Sequence, residues 1–338
     1  MRDSYLTPAS PSKGEEPTSN PPPYEGGVRG GSSQLEQSIF DTIRFFDLYE
    51  MPVTVTQIWE HLVVSSSGYD HHPSLQEVQH ALAFNSWLVE RIGSQWGYYF
   101  LSGKQHLVRV RLTRHAIAQQ KWKIMLRCAP FLAWLPFVRG LAGSGSLAID
   151  NTKDSSDLDV LVITQQGRIW TARLLLLLVS GLLGRRRRYY DRNAPDMVCL
   201  NHYVAQGSIP VSTEIQNVAM AMQYACLVPI YGDYAVRKFM QRNAFWIDQH
   251  VRMPVHPDVR HAYTIVPSGI ARFLKREMES LLSEPLGDYI EEMAEYFQRW
   301  MVRRHQDFSR PGRIALSSSE LAFHPDTKMP AIVQAFEK

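Results

Sequence analysis

Two aspartates at the head of an apolar run are the residues of this chain best suited to chemistry. Asp157 and Asp159 stand two apart, and the run that they begin continues through Ile163. Such a run predicts a buried strand, in which residues two apart point to the same face and lie about 7 Å apart at Cα. Two adjacent carboxylates repel each other, so we expect a cation partner. The spacing suits shared ligands of two Mg²⁺ ions, which lie about 3.5–4 Å apart in two-metal sites.

A glycine-serine turn lies upstream of the aspartates. Gly145 and Ser146 can offer backbone N–H groups and a hydroxyl to phosphate oxygens. The overlapping pair Gly143 and Ser144 also fits the spacing, and we prefer the later pair because leucine and alanine follow it. A phosphate cradle beside a strand with metal-binding carboxylates is typical of nucleotidyl transfer.

Three predicted strands and one helix would position these residues. The pattern predicts strands over 137–142, 157–164 and 197–204, and a helix over 168–183 that packs on the sheet. The leucines of this helix are the most apolar stretch of the chain, but the stretch is shorter than the ~18 residues that a membrane span needs. We therefore expect a core helix and no membrane contact.

Arginines surround this predicted helix. Arg168 and Arg173 lie near its start, where a cation opposes the helix dipole, so the triphosphate of a nucleotide would explain them. Solvent exposure or a salt bridge explains them equally well. The run 185–188 consists of four arginines after the helix end, where they complement the dipole, and we favour this interpretation over binding of a polyanion such as RNA.

The N-terminal third predicts a tail and a small module. Residues 1–34 are rich in proline, serine and glycine, which predicts a disordered tail. Residues 35–104 show three helical patterns, two of them opened by capping boxes at Thr54 and Ser74, and then strand patterns over 88–92 and 98–101.

This order of elements is that of a winged-helix-like domain. DNA binding through the third helix is one possible role. That helix carries no lysine or arginine, whereas phosphate contacts normally need them, so we favour a structural or protein-contact role.

The whole chain predicts a mixed α+β protein. The expected regions are the tail at 1–34, a winged-helix-like domain at 35–104, a connecting helix at 105–135, a catalytic core at 136–212, a helical region at 213–305 and an irregular C-terminal tail at 306–338. The net charge of +3 does not by itself indicate a nucleic-acid partner. Three scattered cysteines without metal-binding spacing, and no apolar signal at the N-terminus, predict a cytoplasmic protein with buried thiols.

The central motif resembles that of a known superfamily. The segment 145–148 together with 156–159 resembles the Gly-Ser…Asp-x-Asp signature of the DNA polymerase β-like nucleotidyltransferases. The segments 167–173, 184–186 and 199–201 are similar to those of a bacterial group of nucleotidyltransferase-domain proteins, whose members also carry a winged-helix-like region. The resemblance implies a small mixed sheet with helices, a nucleoside triphosphate such as ATP as substrate, and Mg²⁺ as cofactor.

The resemblance also implies roles for single residues. Asp157 and Asp159 would bind Mg²⁺, while Gly145 and Ser146 would hold the triphosphate tail. The superfamily carries a third carboxylate on a later strand, which binds metal or deprotonates the acceptor. The strand over 197–204 contains no acidic residue here.

Asn201 takes the place of that third carboxylate in our interpretation. Asn201 and His202 are adjacent in the strand, so only one of them can face the aspartates. Val198, Leu200 and Val204 share the parity of His202 and predict the core face. We therefore expect Asn201 to face the aspartates and His202 to be a partly buried core residue.

Two functions remain open at this point. The first is transfer of a nucleoside monophosphate from a nucleoside triphosphate to the hydroxyl of an RNA, a small molecule or a protein, with release of pyrophosphate. The second is a catalytically silent nucleotide-binding or adaptor protein on the same fold. A carboxylate within about 5 Å of the two aspartates, for example from Asp196 or Glu214, would favour the enzyme.

Overall fold

The N-terminal helices begin where their capping residues predict. The fold is that of a computed structural model, which describes residues 34–64, 73–187, 194–207, 216–252, 263–305, 313–324 and 333–334. Thr54 and Ser74 form complete capping boxes with Gln57 and Glu77, as the sequence predicted. The helices of this region are α1 (Gln34–Asp47), α2 (Val55–Glu60), α3 (Leu75–Phe84) and α4 (Ser86–Arg91). The predicted tail lies outside the described residues, apart from Gln34.

A three-stranded sheet follows, and one predicted strand is wrong. The strands are β1 (Val53–Thr54), β2 (Ile92–Gln95) and β3 (Tyr98–Leu101), in the order β1-β3-β2. The segment 88–92 was predicted as a strand, but most of it belongs to α4. The side chain of Asn85 caps this helix by accepting from the N–H of Leu88, which is fully buried. A short apolar run does not distinguish a helix from a strand, and the cap decides for the helix.

A six-stranded mixed sheet forms the centre of the protein. Its order is β7-β4-β5-β6-β9-β8, and only the β5–β6 pair is parallel. The strands are β4 (Val138–Gly143), β5 (Leu158–Thr164), β6 (Val198–Ala205), β7 (Val228–Tyr231), β8 (Arg313–Leu316) and β9 (Glu320–His324). The protein is therefore of the mixed α+β class with a mixed sheet, as predicted.

Seven further helices surround this sheet in the described part of the chain. The long helix α5 matches the predicted connecting helix, and α7 connects the parallel strands β5 and β6. No described helix is both long and apolar enough to cross a membrane. The helices are α5 (Leu107–Ala133), α6 (Gly145–Ala148), α7 (Ile169–Leu182), α8 (Val218–Ala225), α9 (Asp233–Ile247), α10 (Gly269–Leu281) and α11 (Leu286–His305).

Strands that the sequence pattern did not reveal complete the sheet. The region 213–305, predicted to be helical, contains β7, which pairs with β4. The region 306–338, predicted to be irregular, contains β8 and β9, and β9 pairs with β6. Pro229 lies in β7, a position that an edge strand tolerates because no neighbour needs its missing N–H. These strands are four or five residues long, and long-range pairing rather than local pattern decides them.

The sheet is buried on both faces, which explains the apolar run of β5. Leu161 and Ile163 pack into a core with the N-terminal helices and with α8 and α9. Val160 and Val162 pack into a second core with α5 and α7. Because side chains alternate along a strand, Asp159 points to the same face as Leu161 and Ile163. The two aspartates therefore emerge at one end of β5, on the side of α8 and α9.

Candidate metal and nucleotide site

The two aspartates and a cysteine converge at the beginning of β5. Asp157 directly precedes the strand, and Asp159 is its second residue. Asp159 pairs in parallel register with Cys199 of β6. As a result, one carboxylate oxygen of each aspartate and the Cys199 Sγ all lie within 4.8 Å of one another. Sequence reasoning missed Cys199, because its neighbours in space come from another strand and not from a cysteine-rich motif.

An irregularity in β6 shapes this cluster. Asp159 pairs with Cys199 and Leu161 with His202, so β6 carries one extra residue between these pairs. Such a bulge breaks strict alternation. Leu200 accordingly packs in the core with α5 and α7, whereas Val204 packs in the other core. The predicted common core face of Val198, Leu200 and Val204 is therefore wrong.

The predicted orientations of Asn201 and His202 are nevertheless confirmed. The Asn201 side-chain amide donates a hydrogen bond to Oδ1 of Asp159 at 3.0 Å. The His202 ring is 2% exposed, and its Nε2 lies 2.9 Å from Oε1 of Glu320 on β9. Asn201 thus orients a carboxylate of the cluster, and His202 belongs to the packing between β6 and β9.

Gly145 brings the backbone of the predicted phosphate turn against Asp159. Its φ of +57° lies in the left-handed region, and a Cβ at this position would come within 2.6 Å of Asp159 Oδ2. Only glycine permits both features without strain. The backbone N–H of Ser144 donates to the Asp159 carbonyl at 3.0 Å, which fixes the turn on β5.

The two overlapping glycine-serine pairs differ in exposure. Ser144 is buried, and its hydroxyl accepts a hydrogen bond from Gln223 at 3.1 Å. Ser146 is half-buried at the start of α6, and its carbonyl accepts the N–H of Asn151. The later pair is therefore the more accessible of the two, in line with our preference for Gly145 and Ser146. Their contact with a triphosphate stays a prediction.

Arg187 is the cation of the cluster, and the sequence did not single it out. Its guanidinium donates to Oδ2 of Asp157 and lies 3.5 Å from the Cys199 Sγ. The backbone of 185–187 pairs with Val198 at the start of β6, which brings this arginine to the cluster. The arginine run after the helix was the available signal, because α7 returns the chain to the edge at which β5 begins.

Burial disfavours the negatively charged forms of Asp159 and Cys199 in the cluster. Burial, reinforced by the charge of Asp157, raises the pKa of Asp159 to about 7, although Arg187 and Asn201 oppose the shift. Burial and the two carboxylates also raise the pKa of the Cys199 thiol well above its ordinary value. A cation that entered the cluster would reverse both shifts, because it stabilises the charged forms.

The structure does not bring Arg168 and Arg173 to the aspartates. Arg168 follows the opposite end of β5, about 16 Å along the strand from Asp159, and its Nη1 lies 2.6 Å from Oδ1 of Asp288. Arg173 is half-buried beside Tyr203 on the other face of the sheet and donates to Gln298 of α11. For Arg168, the salt bridge that the sequence left open is the observed arrangement. The nucleotide-binding role predicted for both arginines loses its support.

A third carboxylate does not join the cluster within the described chain. Asp196 Oδ1 lies 2.7 Å from Nζ of Lys121, a buried side chain that also donates to the carbonyls of Asp154 and Ser156. Asp196 therefore anchors the loop before β5. Glu214, the other acidic residue considered, lies outside the described residues.

The donors fit a divalent cation, but only in part the magnesium that the resemblance implies. Two carboxylates are the oxygen ligands that Mg²⁺ prefers, whereas a thiol is a soft donor that Mg²⁺ avoids. Comparisons with protein-family models, with curated proteins and with solved structures found no match to this chain.

Proposed function

We propose that this protein is a metal-dependent nucleotidyltransferase, which moves a nucleoside monophosphate from a nucleoside triphosphate such as ATP to an acceptor hydroxyl. The observation that carries the proposal is the meeting of Asp157 and Asp159 with the Gly145 turn at one end of β5. A carboxylate pair supports a divalent cation, and a close-approaching backbone turn supports a phosphate. These are the two requirements of nucleotidyl transfer.

The reaction forms one bond and breaks one. The acceptor oxygen attacks the α-phosphorus, and the bond from that phosphorus to the bridging oxygen of pyrophosphate breaks, so that pyrophosphate leaves with the electron pair. A divalent ion such as Mg²⁺ held by Asp157 and Asp159 would offset the charge that develops on the phosphate oxygens.

The chain itself positions the nucleotide and the ion. The backbone at Gly145 and the hydroxyl of Ser146 are the groups that face the triphosphate in this proposal. The proton of the attacking hydroxyl passes to solvent, because a bound cation stabilises the charged form of Asp159 and keeps this carboxylate a ligand rather than a base. Asn201 holds this carboxylate in place.

We also propose that the chain contains the two modules that its sequence predicts. The succession β4-α6-β5-α7-β6 supports a polymerase β-like core, and residues 34–101 support a winged-helix-like module with one additional helix, α4. Because α3 carries no lysine or arginine, the favoured partner of this module is a protein rather than DNA. The proposed nucleotide substrate and the free cysteines of the described chain support a cytoplasmic location.

The test is transfer of labelled phosphate. The protein is incubated with Mg²⁺, with each of the four α-phosphate-labelled nucleoside triphosphates, and with separate RNA, protein and small-molecule fractions of a cell extract. We expect label to appear in one fraction with wild-type protein and with Asp154→Asn, which alters an exposed carboxylate outside the cluster. We expect none with Asp157→Asn/Asp159→Asn. Equal transfer by the double variant would contradict the proposal.

One observation supports a catalytically silent nucleotide-binding protein as the second candidate. Arg187 pairs with Asp157, and an amide and a thiol stand where a third carboxylate would be expected. Binding of a nucleoside triphosphate by calorimetry, without label transfer to any fraction, would favour this candidate over the enzyme.

A further inference from the structure

The third donor of the cluster is a buried thiol and not a carboxylate. Cys199 is 6% exposed, and the parallel register of β5 and β6 fixes it opposite Asp159. The neighbouring bulge turns Asn201 toward the same aspartate, so that the thiol and the amide flank it together. Two strands of the central sheet, rather than a loop, hold these donors.

The spacing of the three donors is within reach of one metal ion. Zn–S bonds of about 2.3 Å and Zn–O bonds of about 2.1 Å place tetrahedral ligand atoms about 3.4–3.6 Å apart. The three atoms already lie within 4.8 Å of one another. Small side-chain rotations would bring the three ligand atoms from their present separations to those of a metal-bound set. Three protein ligands also leave the fourth position open, which is typical of catalytic rather than structural zinc sites.

A positively charged group already contacts these donors. The Arg187 guanidinium contacts both Asp157 and Cys199, which marks the position as one that a cation occupies. One guanidinium carries a single positive charge, whereas two carboxylates and a thiolate can together carry three negative charges. A divalent ion therefore matches the cluster better than Arg187 alone.

We infer that Cys199 is a metal ligand together with Asp157 and Asp159, and that the resident ion belongs to the thiophilic divalent class, such as Zn²⁺, rather than being Mg²⁺. A mixed thiolate and carboxylate set selects borderline-soft ions, because hard Mg²⁺ gains little from sulfur. This inference rests on the metal site of the proposed function. It assigns Mg²⁺ to the incoming nucleotide rather than to the resting protein.

The test uses Co²⁺ and Cd²⁺ as spectroscopic probes of the full chain. Each ion should produce a thiolate-to-metal charge-transfer band in the wild type and in Cys226→Ser, a control cysteine outside the cluster. The band should vanish in Cys199→Ser. Zn²⁺ affinity, measured by competition with a chelating dye, should fall at least about tenfold in Cys199→Ser, the lower end of what even outer-shell changes cost.

A second variant keeps the test decisive if Cys199→Ser folds poorly. Cys199→Asp supplies a third carboxylate, and its affinity ratio of Zn²⁺ over Mg²⁺ should fall at least about tenfold relative to the wild type. Circular dichroism checks the fold of both variants.

The outcomes separate this inference from the proposed function. A wild-type protein without a charge-transfer band, or with the band unchanged in Cys199→Ser, overturns the inference, even if Mg²⁺-dependent label transfer is found. A band that depends on Cys199 supports the inference, even if no label is transferred and the proposed activity fails.

Discussion

The two ends of β5 differ in how their arginines are paired. At the end near Thr164, Arg139 pairs with Glu279 and Arg168 pairs with Asp288, each at 2.6 Å. At the end near Asp157, the described cation that contacts the cluster is Arg187, which pairs with Asp157 and lies beside the Cys199 thiol, while Asn201 and not an arginine donates to Asp159. The first end has a protein partner for each of these cations and is closed by α10 and α11. Among the described residues, the second end brings two carboxylates and a thiol together with one contacting arginine, which is the charge imbalance of a binding site.

The pKa values of the acidic residues follow the same division. Burial tends to raise the pKa of Glu279, but hydrogen bonds from Arg139 and from the Phe137 N–H outweigh it, and the pKa is lowered. Burial raises the pKa of Asp159 to about 7, because the charge of Asp157 adds to it and the single arginine does not cancel both. Strongly perturbed acids of this kind are more typical of functional sites than of structural ion pairs.

The largest effect is expected when both carboxylates of the cluster are neutralised. Asp157→Asn/Asp159→Asn should abolish Mg²⁺-dependent binding of a nucleoside triphosphate, with a loss of more than about 100-fold, the upper end of what an outer-shell change costs. The fold should persist, because both side chains are only partly buried at a strand end. Isothermal titration calorimetry measures the loss, with Asp154→Asn as the matched control. Unchanged nucleotide affinity in the double variant would mean that the end of β5 near Asp157 is not a nucleotide site, and the two ends would no longer differ in function.

The next effect concerns stability and pH. The native pKa of Asp159 lies above its ordinary value, so between about pH 4 and pH 7 the native state binds more protons than the unfolded state. Stability from this residue is therefore fully present below pH 4 and is lost as the pH rises to 7. Asp159→Asn should stabilise the metal-free protein at pH 8 by on the order of 1–3 kcal/mol, since one pKa unit corresponds to about 1.4 kcal/mol.

Denaturant unfolding of both proteins at pH 5 and pH 8 checks this expectation. The stability difference should grow with pH, while the hydrogen bond from Asn201 remains available to the asparagine oxygen. A difference that is equal at the two pH values would mean that Asp159 is not the titrating group.

A smaller effect, a loss of stability rather than a gain, is expected at the end of β5 near Thr164. Arg168→Met should destabilise the protein by about 1–2 kcal/mol, because Arg168 is buried but Asp288 is half-exposed and water replaces part of the lost pairing. Nucleotide affinity should stay within twofold of the wild type. A tenfold weaker affinity, with the stability unchanged, would return Arg168 to the nucleotide site and blur the distinction between the two ends.

The smallest effects are expected in the middle of β6. His202→Gln should change label transfer less than about twofold, because the glutamine can still donate to Glu320 and the residue lies in the core. Asn201→Asp should keep or raise transfer by adding a carboxylate beside Asp159. Initial rates of transfer measure both. A large loss in His202→Gln, with an unchanged circular dichroism spectrum, would make the histidine the base.

Local signals in the chain were sufficient for many elements. The capping boxes at Thr54 and Ser74 predicted two helix starts, because a cap depends on residues three positions apart. The apolar run after Asp157 predicted β5, and its alternation predicted that Asp157 and Asp159 act together. The orientation of Asn201 was also predicted correctly, although strict alternation, the reason given for it, fails at the bulge.

The remainder depended on contacts that the chain makes over long distances. Cys199 enters the cluster through the parallel register with β5, and Arg187 enters it because α7 returns the chain to the same sheet edge. Arg168 and Arg173 are occupied by α11, more than a hundred residues later in the chain. The carboxylate pair was predictable from local spacing, since two residues that stand two apart at the start of a strand need no other part of the fold to lie together. The cation and the third donor that meet this pair were not predictable in this way, because strand register and helix packing bring them there.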